Sequence, residues 1–462
     1  MTDCSANHFV EHAASALEDV SLQSALSHAQ TGFVQKRAQA ITMVDDFELM
    51  KAKAQASKRY ALSNLGSLLE QFEENVIKSG GHVHWAEKAS ELNRQVIEIC
   101  RQAKAKRIIK GKSMIGEEAN LNRAMEGAGF ELIESDLGEY IIQLAQEPPS
   151  HIIAPAIHKT RQQVTDLFRQ YHSLGERELD GIPELVNEAR AVMRKAFLSA
   201  DVGITGANLL IAENGSLAVV TNEGNGDLSA TLPRVHIVVT SIEKVVASMK
   251  DAAHILEVLA RSATGQHMSA YTTFFNGPKR EQDSDGPDEF HVVLLDNGRS
   301  GLLDSSYEPM LNCIKCGACL NHCPVYTNVG GHAYGWVYPG PMGSVLTPLL
   351  RGLENATPLP NASTFCGRCE EVCPMGIPLP SLLRQLREEQ HQRQLEPLVW
   401  RMGLTLYSWL CSHPVLFHGS IRLLRLVSRL VPSNRWPQLR NPIKATGESS
   451  FMQMWSRTRQ DK

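Results

Sequence analysis

Four of the chain's ten cysteines stand inside "CIKCGACLNHCP", residues 313–324, and the last of them is followed by proline. A second group, "CGRCEEVCP", brings three more at Cys366, Cys369 and Cys373. Zinc takes four tetrahedral ligands, normally two CxxC pairs a dozen or more residues apart. Here Cys313, Cys316 and Cys319 follow one another at two-residue gaps, and such a wrap surrounds one corner of something larger than a single ion. Three closely spaced thiolates can take three irons of a cubane, while the cysteine before proline serves the other cluster in two-cluster ferredoxins. The pattern therefore predicts two iron–sulfur clusters. By the crossing logic Cys313, Cys316, Cys319 and Cys373 hold one, and Cys323, Cys366 and Cys369 hold the other. The second group lacks its first cysteine, whose position falls at Ser363. Cys411, in "LYSWLCSHPVLF", reads as a buried structural cysteine rather than the missing ligand.

The cysteine-bearing stretch is rich in glycine and proline and has weak periodicity, so packing alone would not order it. The rest of the 462 residues supplies ordinary globular material, 43% hydrophobic and 21% charged. Seven cysteines crowded into one segment do not form a disulfide framework, which points to the cytosol. The start of the chain carries no secretory pattern, and no run of about 18 apolar residues suggests a membrane span. A net charge of −4 argues against a nucleic-acid partner. From Pro397 onward ten Lys/Arg face two acidic residues, so the end of the chain is basic.

Texture divides the chain into a helical segment at 1–60, an alternating α/β region at 61–300, a ferredoxin-like region at 301–395 and a basic helical tail at 396–462. In the α/β region, "RIIKG", "FELIES" and "VHIVVTS" read as strands between helices such as "LNRQVIEICRQAKAKR". "LLIAENGSLAVVT" reads as a hairpin in which Asn214 and Gly215 supply positive φ angles. "PLPSLLRQLREEQ" reads as a helix directly after the second cysteine group.

Other candidates carry two readings each. "RIIKGKS" ends like a phosphate-binding loop but lacks the opening glycine, so a strand followed by a basic turn is the plainer reading. Glu213 and Glu223, with the nearby "GNGD" of residues 224–227, could face a substrate pocket or simply flank solvated turns. His151 and His158 could be functional or satisfied structural histidines. In the tail, Arg422, Arg425 and Arg429 share one helical face. That face could lie on an anionic membrane or an acidic partner, or belong to an ordinary surface helix.

The cysteine groups, together with "GGHAYGWVYPGPMGSVLTP", "ADVGITGANLLIAENGSLAVVTNEGN" and "ESDLGEYIIQLAQEPPSHIIAPAIHK", resemble the lactate utilisation protein B family over nearly the whole chain. The resemblance implies a bacterial L-lactate oxidation system of three proteins in which this chain is an iron–sulfur, electron-transferring member. It implies an α/β LUD domain of the sugar-phosphate isomerase and CoA-transferase-like type, followed by a helical ferredoxin part with two [4Fe–4S] clusters on the seven cysteines. The implied partners are a second cysteine-rich iron–sulfur subunit and a smaller LUD-domain protein, in the cytoplasm or at the inner face of the membrane. Two rivals remain at this point: a subunit acting on another 2-hydroxy acid such as glycolate, and a redox or metabolite sensor.

Overall fold

Helix-forming residues with few breakers fill the start of the chain, and helices form there at Phe9–Glu18, Val20–Thr42, Phe47–Ser63 and Leu65–Lys78. The computed structural model describes residues 4–175, 177–430 and 455. Asp19 and Asp46 cap the second and third helices. Their Oδ1 atoms accept the N–H of Leu22 at 3.0 Å and of Leu49 at 2.8 Å. Such caps satisfy amides that the helix itself cannot.

Ten strands follow: β1 (His82–Ala86), β2 (Arg107–Lys110), β3 (Glu131–Glu134), β4 (Val202–Thr205), β5 (Leu209–Ile211), β6 (Ser216–Thr221), β7 (Val235–Ser241), β8 (Val245–Val246), β9 (Tyr271–Phe275) and β10 (Glu289–Leu295). Six of them form a parallel sheet in the order β1-β10-β7-β4-β2-β3, and four form a second sheet in the order β8-β5-β6-β9. The alternating texture was thus a correct sign of a mixed α/β fold with a parallel sheet.

The parallel sheet is covered on both faces, and successive residues of its central strands serve different cores. Ile237, Val239, Val293 and Leu295 pack on one face with Leu92, Val96 and Ile99 of helix Ala89–Gln102. Val238, Val292 and Leu294 pack on the other with Leu68, Phe72 and Val76 of helix Leu65–Lys78 and with Leu210, Leu217 and Val245 of the second sheet. Each such fully buried side chain contributes about 1.5–3 kcal/mol.

β5 and β6 pair antiparallel, with Ile211 opposite Ser216, as the hairpin reading requires. Only Gly215 has a positive φ, at 73°, and its N–H donates to the Ile211 carbonyl at 3.0 Å. The connection is therefore a four-residue loop rather than a two-residue turn needing Asn214 in the left-handed region. A Cβ at Gly215 would lie 2.6 Å from the Val76 nitrogen, because the loop tip sits against helix Leu65–Lys78.

In the parallel sheet the chain leaves β2 toward one edge, to β3, and leaves β4 toward the other, to β7. β2 and β4 are neighbours, so their carboxyl ends open a crevice between loops that diverge. Open α/β sheets take ligands at such switch points.

The cysteine region is held by short helices and by two longer ones, Gly340–Arg351 and Leu379–Gln392, that pack together. The first helices of the chain brace it. Phe9 meets Tyr334 edge to face at 5.1 Å, Arg37 Nη2 donates to the Val372 carbonyl at 3.0 Å, and Gln55 Nε2 donates to the Pro374 carbonyl at 3.1 Å. All of this belongs to one compact unit that runs to Gln392, and a second unit starts at Arg393.

The second unit contains helices Leu398–Cys411 and Pro414–Leu430. The first of these has no buried residue, and Leu398, Val399, Trp400, Met402, Tyr407 and Trp409 are all exposed. No helix among the described residues is long and apolar enough to cross a membrane. The side chains of Arg422, Arg425 and Arg429, and most of the tail beyond Leu430, lie outside the described residues.

Candidate metal centre and adjoining cavity

The first cysteine loop turns sharply because two residues around Cys316 take left-handed backbone angles, Lys315 at φ 56° and Gly317 at φ 74°. Helix Ala318–Asn321 follows and presents Cys319. Cys313, Cys316 and Cys319 wall a small cavity together with Cys373, which arrives from the second group. Ile152, Met310, Ile314, Met342, Ile377 and Leu379 supply its apolar walls. Backbone amides are directed at the sulfurs. The Lys315 N–H donates to Cys313 Sγ at 3.4 Å, Ala318 serves Cys316, and Met375, Gly376 and Ile377 serve Cys373. Burial raises the Cys313 thiol to about 11 and the Cys316 thiol to about 12. A coordinated cation reverses that preference, since a coordinating thiol is deprotonated outright. Four sulfurs, an apolar shell and amides aimed at sulfur suit a cubane cluster.

The second loop repeats the first. Phe365 and Gly367 take φ 54° and 79° on either side of Cys366, and helix Arg368–Glu371 presents Cys369. The Cys323 N–H donates to the Leu320 carbonyl at 3.1 Å, and the Cys373 N–H donates to the Glu370 carbonyl at 3.1 Å. In this repeat Ser363 occupies the place of Cys313, its Oγ accepting the Phe365 N–H at 3.2 Å. Cys323 and Cys366 each oppose ionisation of Cys369, as Cys369 opposes that of Cys319. Cys366 is exposed, unlike Cys316 and Cys373. Cys411 is also exposed and belongs to the helix with no buried residue, so the apolar segment around it does not bury it.

A far larger cavity, about 580 Å³, opens at the carboxyl ends of β2, β3 and β4. Gly111, Lys112 and Ser113 line it after β2, Asp136 after β3, and Gly206 to Asn208 after β4. "RIIKGKS" is thus a strand and a basic turn, and the turn faces the cavity. Glu223, Asn225 and Gly226 line it as well, whereas Glu213 does not. The Glu213 carboxylate accepts the Met249 N–H at 3.0 Å. Burial and repulsion from Asp136 raise the Glu223 carboxyl above its ordinary value. Ile152, Cys313, Ile314 and Lys315 line both cavities and so form the partition between them.

Lysines from four separate places reach the large cavity: Lys58, Lys112, Lys244 and Lys315. The Lys58 ammonium donates to the Glu243 carbonyl, and Lys315 Nζ lies 3.2 Å from the Glu243 carboxylate. Glu243 also meets Arg299 Nε at 3.0 Å, while the same guanidinium grips Glu118 at 2.9 and 2.6 Å. Burial opposes charge on Glu243, but Arg299 and Lys315 hold its carboxyl well below the usual range. Tyr338 completes the network by donating to Glu118 at 2.6 Å. Lys244 stands apart from these pairs, and burial, then repulsion from Lys315, lowers it to about 7. Lys112 belongs to the "RIIKGKS" stretch weighed from sequence, whereas Lys58, Lys244 and Lys315 were not candidates, because single lysines carry no local pattern.

Both histidines are held by neighbours. His151 is buried, its Nδ1 accepts the N–H of Ile153 at 3.0 Å and of Ala154 at 3.1 Å, and its Nε2 pairs with Asn321 Oδ1 at 3.0 Å. It props the first cysteine loop through Asn321 and through its contact with Gly317. His158 Nε2 pairs with Glu147 at 2.7 Å, and Lys159 takes the other oxygen at 2.5 Å.

The LUD domain family matches residues 69–295, and the 4Fe-4S dicluster domain family matches residues 309–377. Lactate utilization protein B of Bacillus licheniformis is 38% identical to the chain, covering 98% of it and 97% of the relative. The protein of that name from Bacillus subtilis (strain 168) is 43% identical, covering 93% and 88%. That from Lysinibacillus sphaericus is 44% identical, covering 83% and 80%.

Proposed function

The chain belongs to the lactate utilization protein B family, and on that footing we propose that it transfers electrons during oxidation of L-lactate to pyruvate. It is an iron–sulfur subunit in lactate utilisation with two [4Fe–4S] clusters. The observation that carries the reading is the cavity walled by Cys313, Cys316 and Cys319 from one group and Cys373 from the other. Cluster 1 takes these four, and cluster 2 takes Cys323, Cys366 and Cys369. When bound, the clusters supply one-electron storage and transfer.

The protein's own contribution is to fix the thiolates, to exclude water with Ile152, Met310 and Leu379, and to tune potential with amides that donate to sulfur. Lactate oxidation releases two electrons and two protons, so a two-electron acceptor sits in the LUD cavity or on a partner. The partners in this reading are a second cysteine-rich iron–sulfur subunit and a smaller LUD-domain protein, in the cytoplasm. The α/β region at 61–300 is of the sugar-phosphate isomerase and CoA-transferase-like type, and the region at 301–395 is a helical ferredoxin. The tail at 396–462 docks peripherally on an anionic surface, a reading supported by the exposed Trp400, Tyr407 and Trp409.

The test is anaerobic addition of L-lactate to the reconstituted three-protein complex while the visible iron–sulfur absorption is followed. Bleaching with L-lactate, and none with this chain alone, is the expected result. Bleaching by glycolate in preference to L-lactate would move the assignment to that acid. Metabolite binding without any bleaching would make the protein a sensor.

A further inference from the structure

The large cavity is distinct from the small cysteine cavity and shares with it Ile152, Cys313, Ile314 and Lys315. It sits where the loops after β2 and β4 diverge, and its volume of about 580 Å³ falls within the range of about 300–1,000 Å³ usual for organic ligands. Its cationic groups are not all spent on one another. Lys58 and Lys315 are engaged by Glu243. For Lys112 the acceptor is the Ile153 carbonyl at 2.6 Å, and for Lys244 it is the Ala207 carbonyl at 2.6 Å. Neither takes part in an ion pair among the described residues. An ammonium has three donors, so each keeps donor capacity for an anion, and an anion bound there would in turn favour the protonated form of Lys244. Across the same cavity Asp136 and Glu223 offer acceptors for a hydroxyl or N–H donor.

We propose that this cavity binds an organic anion, its acidic group held by Lys112 and Lys244 and its body against the partition formed by Ile152, Cys313, Ile314 and Lys315. The ligand class is a carboxylic acid or a phosphate ester, and the volume admits one well beyond three carbons. The partition is the outer wall of the four-cysteine cavity, so the bound anion lies one layer of residues from cluster 1. This last point rests on the iron–sulfur reading above, whereas the lysine grip does not.

The experiment uses the full-length chain, anaerobically reconstituted, with iron and sulfide measured first. Calorimetric titration with L-lactate, pyruvate, flavin mononucleotide and inorganic phosphate is run on the parent protein, Lys112→Ala, Lys244→Ala and the milder Lys112→Gln. At least one organic probe should bind, and each alanine variant should weaken it about tenfold or more, as loss of a charge-assisted hydrogen bond does. Binding of lactate or pyruvate alone identifies a carboxylic acid, and binding of flavin mononucleotide alone identifies a phosphate ester. The bound probe should also shift the paramagnetic resonance spectrum of reduced cluster 1, with the spectrum of cluster 2 unchanged. The proposal is overturned if no organic probe binds the fully loaded protein, if only inorganic phosphate binds, or if the lysine variants bind as the parent does. Zinc without sulfide would instead overturn the iron–sulfur reading, and the titrations would still decide the lysine site.

Discussion

The place of Ser363 in the repeat fixes what oxidation should do to the second cluster. The Phe365 N–H reaches Ser363 Oγ at 3.2 Å as the Lys315 N–H reaches Cys313 Sγ at 3.4 Å, so the two side chains hold equivalent positions. A thiol ionises near pH 8.5, whereas a serine hydroxyl does not ionise in the accessible range, so Ser363 is a poor iron ligand. On the proposed ligation one iron of cluster 2 would have no thiolate, and Cys366, a ligand of the same cluster, is exposed. Brief exposure to air should remove that one iron, lowering the content from about eight to about seven per chain and leaving a three-iron cluster. Electron paramagnetic resonance should then show at most about one three-iron signal per chain. Ser363→Ala should leave that signal unchanged. Ser363→Cys should abolish it, because the new thiolate would occupy the site that Cys313 fills in the other loop. If Ser363→Ala destroyed cluster 2, or if Ser363→Cys lost iron as readily as the parent, the argument from the repeat would be wrong.

Cys373→Ser should impair cluster 1 and spare cluster 2, and Cys369→Ser should do the reverse; resonance spectra of the two reduced variants distinguish crossed from uncrossed ligation. Arg299→Met should lower stability by about 3–5 kcal/mol in urea denaturation of the holoprotein, since it leaves Glu118 buried without its cation and Glu243 with Lys315 alone of its two ion-pair partners. Burial, then repulsion from His291, lowers buried His236 to about 3. The unfolded chain therefore binds the extra proton first, and stability should fall by about 1.4 kcal/mol per pH unit as pH drops below about 6.5. The same denaturation at pH 7.5 and 5.5 should give a smaller loss in His236→Gln, and an equal loss would clear this histidine of the effect. Removal of residues 397–462 should shift protein from the membrane pellet to the soluble fraction, as should moderate salt; unchanged fractionation would make the tail an ordinary surface segment.

Chemistry carried by residue type and spacing was legible in the sequence, and chemistry assembled by the fold was not. The two loops around Cys316 and Cys366 announce themselves because all their groups lie within a few residues. Lys58, Lys112, Lys244 and Lys315 come from an α-helix, a short 3-10 helix and two loops, and only the fold around the cavity brings them together. Glu213 and Glu223 look alike locally, yet one binds a backbone amide and the other faces the cavity. Among the strands, "RIIKG" and "VHIVVTS" were readable, whereas β10, "EFHVVLL", ends in a short apolar run at residues 292–295 that periodicity cannot tell from a buried helix. The hairpin was readable in place but not in turn geometry, because helix Leu65–Lys78 accepts the tip of a longer loop.

The crossed ligation proposed above would have a mechanical side. Cys319 and Cys373 stand about fifty residues apart in a Gly/Pro-rich stretch, and a cluster that binds both is a cross-link. Tying a loop of that length restricts the unfolded chain by about 4 kcal/mol, on the accounting used for disulfides. In the proposed ligation cluster 2 would tie the same two loops through Cys323, Cys366 and Cys369. A three-iron cluster would keep all three of those thiolates, so the loss of one iron would leave the tether in place. On that reading the protein would meet oxygen, lose one metal atom, and keep both loops tied to receive it back.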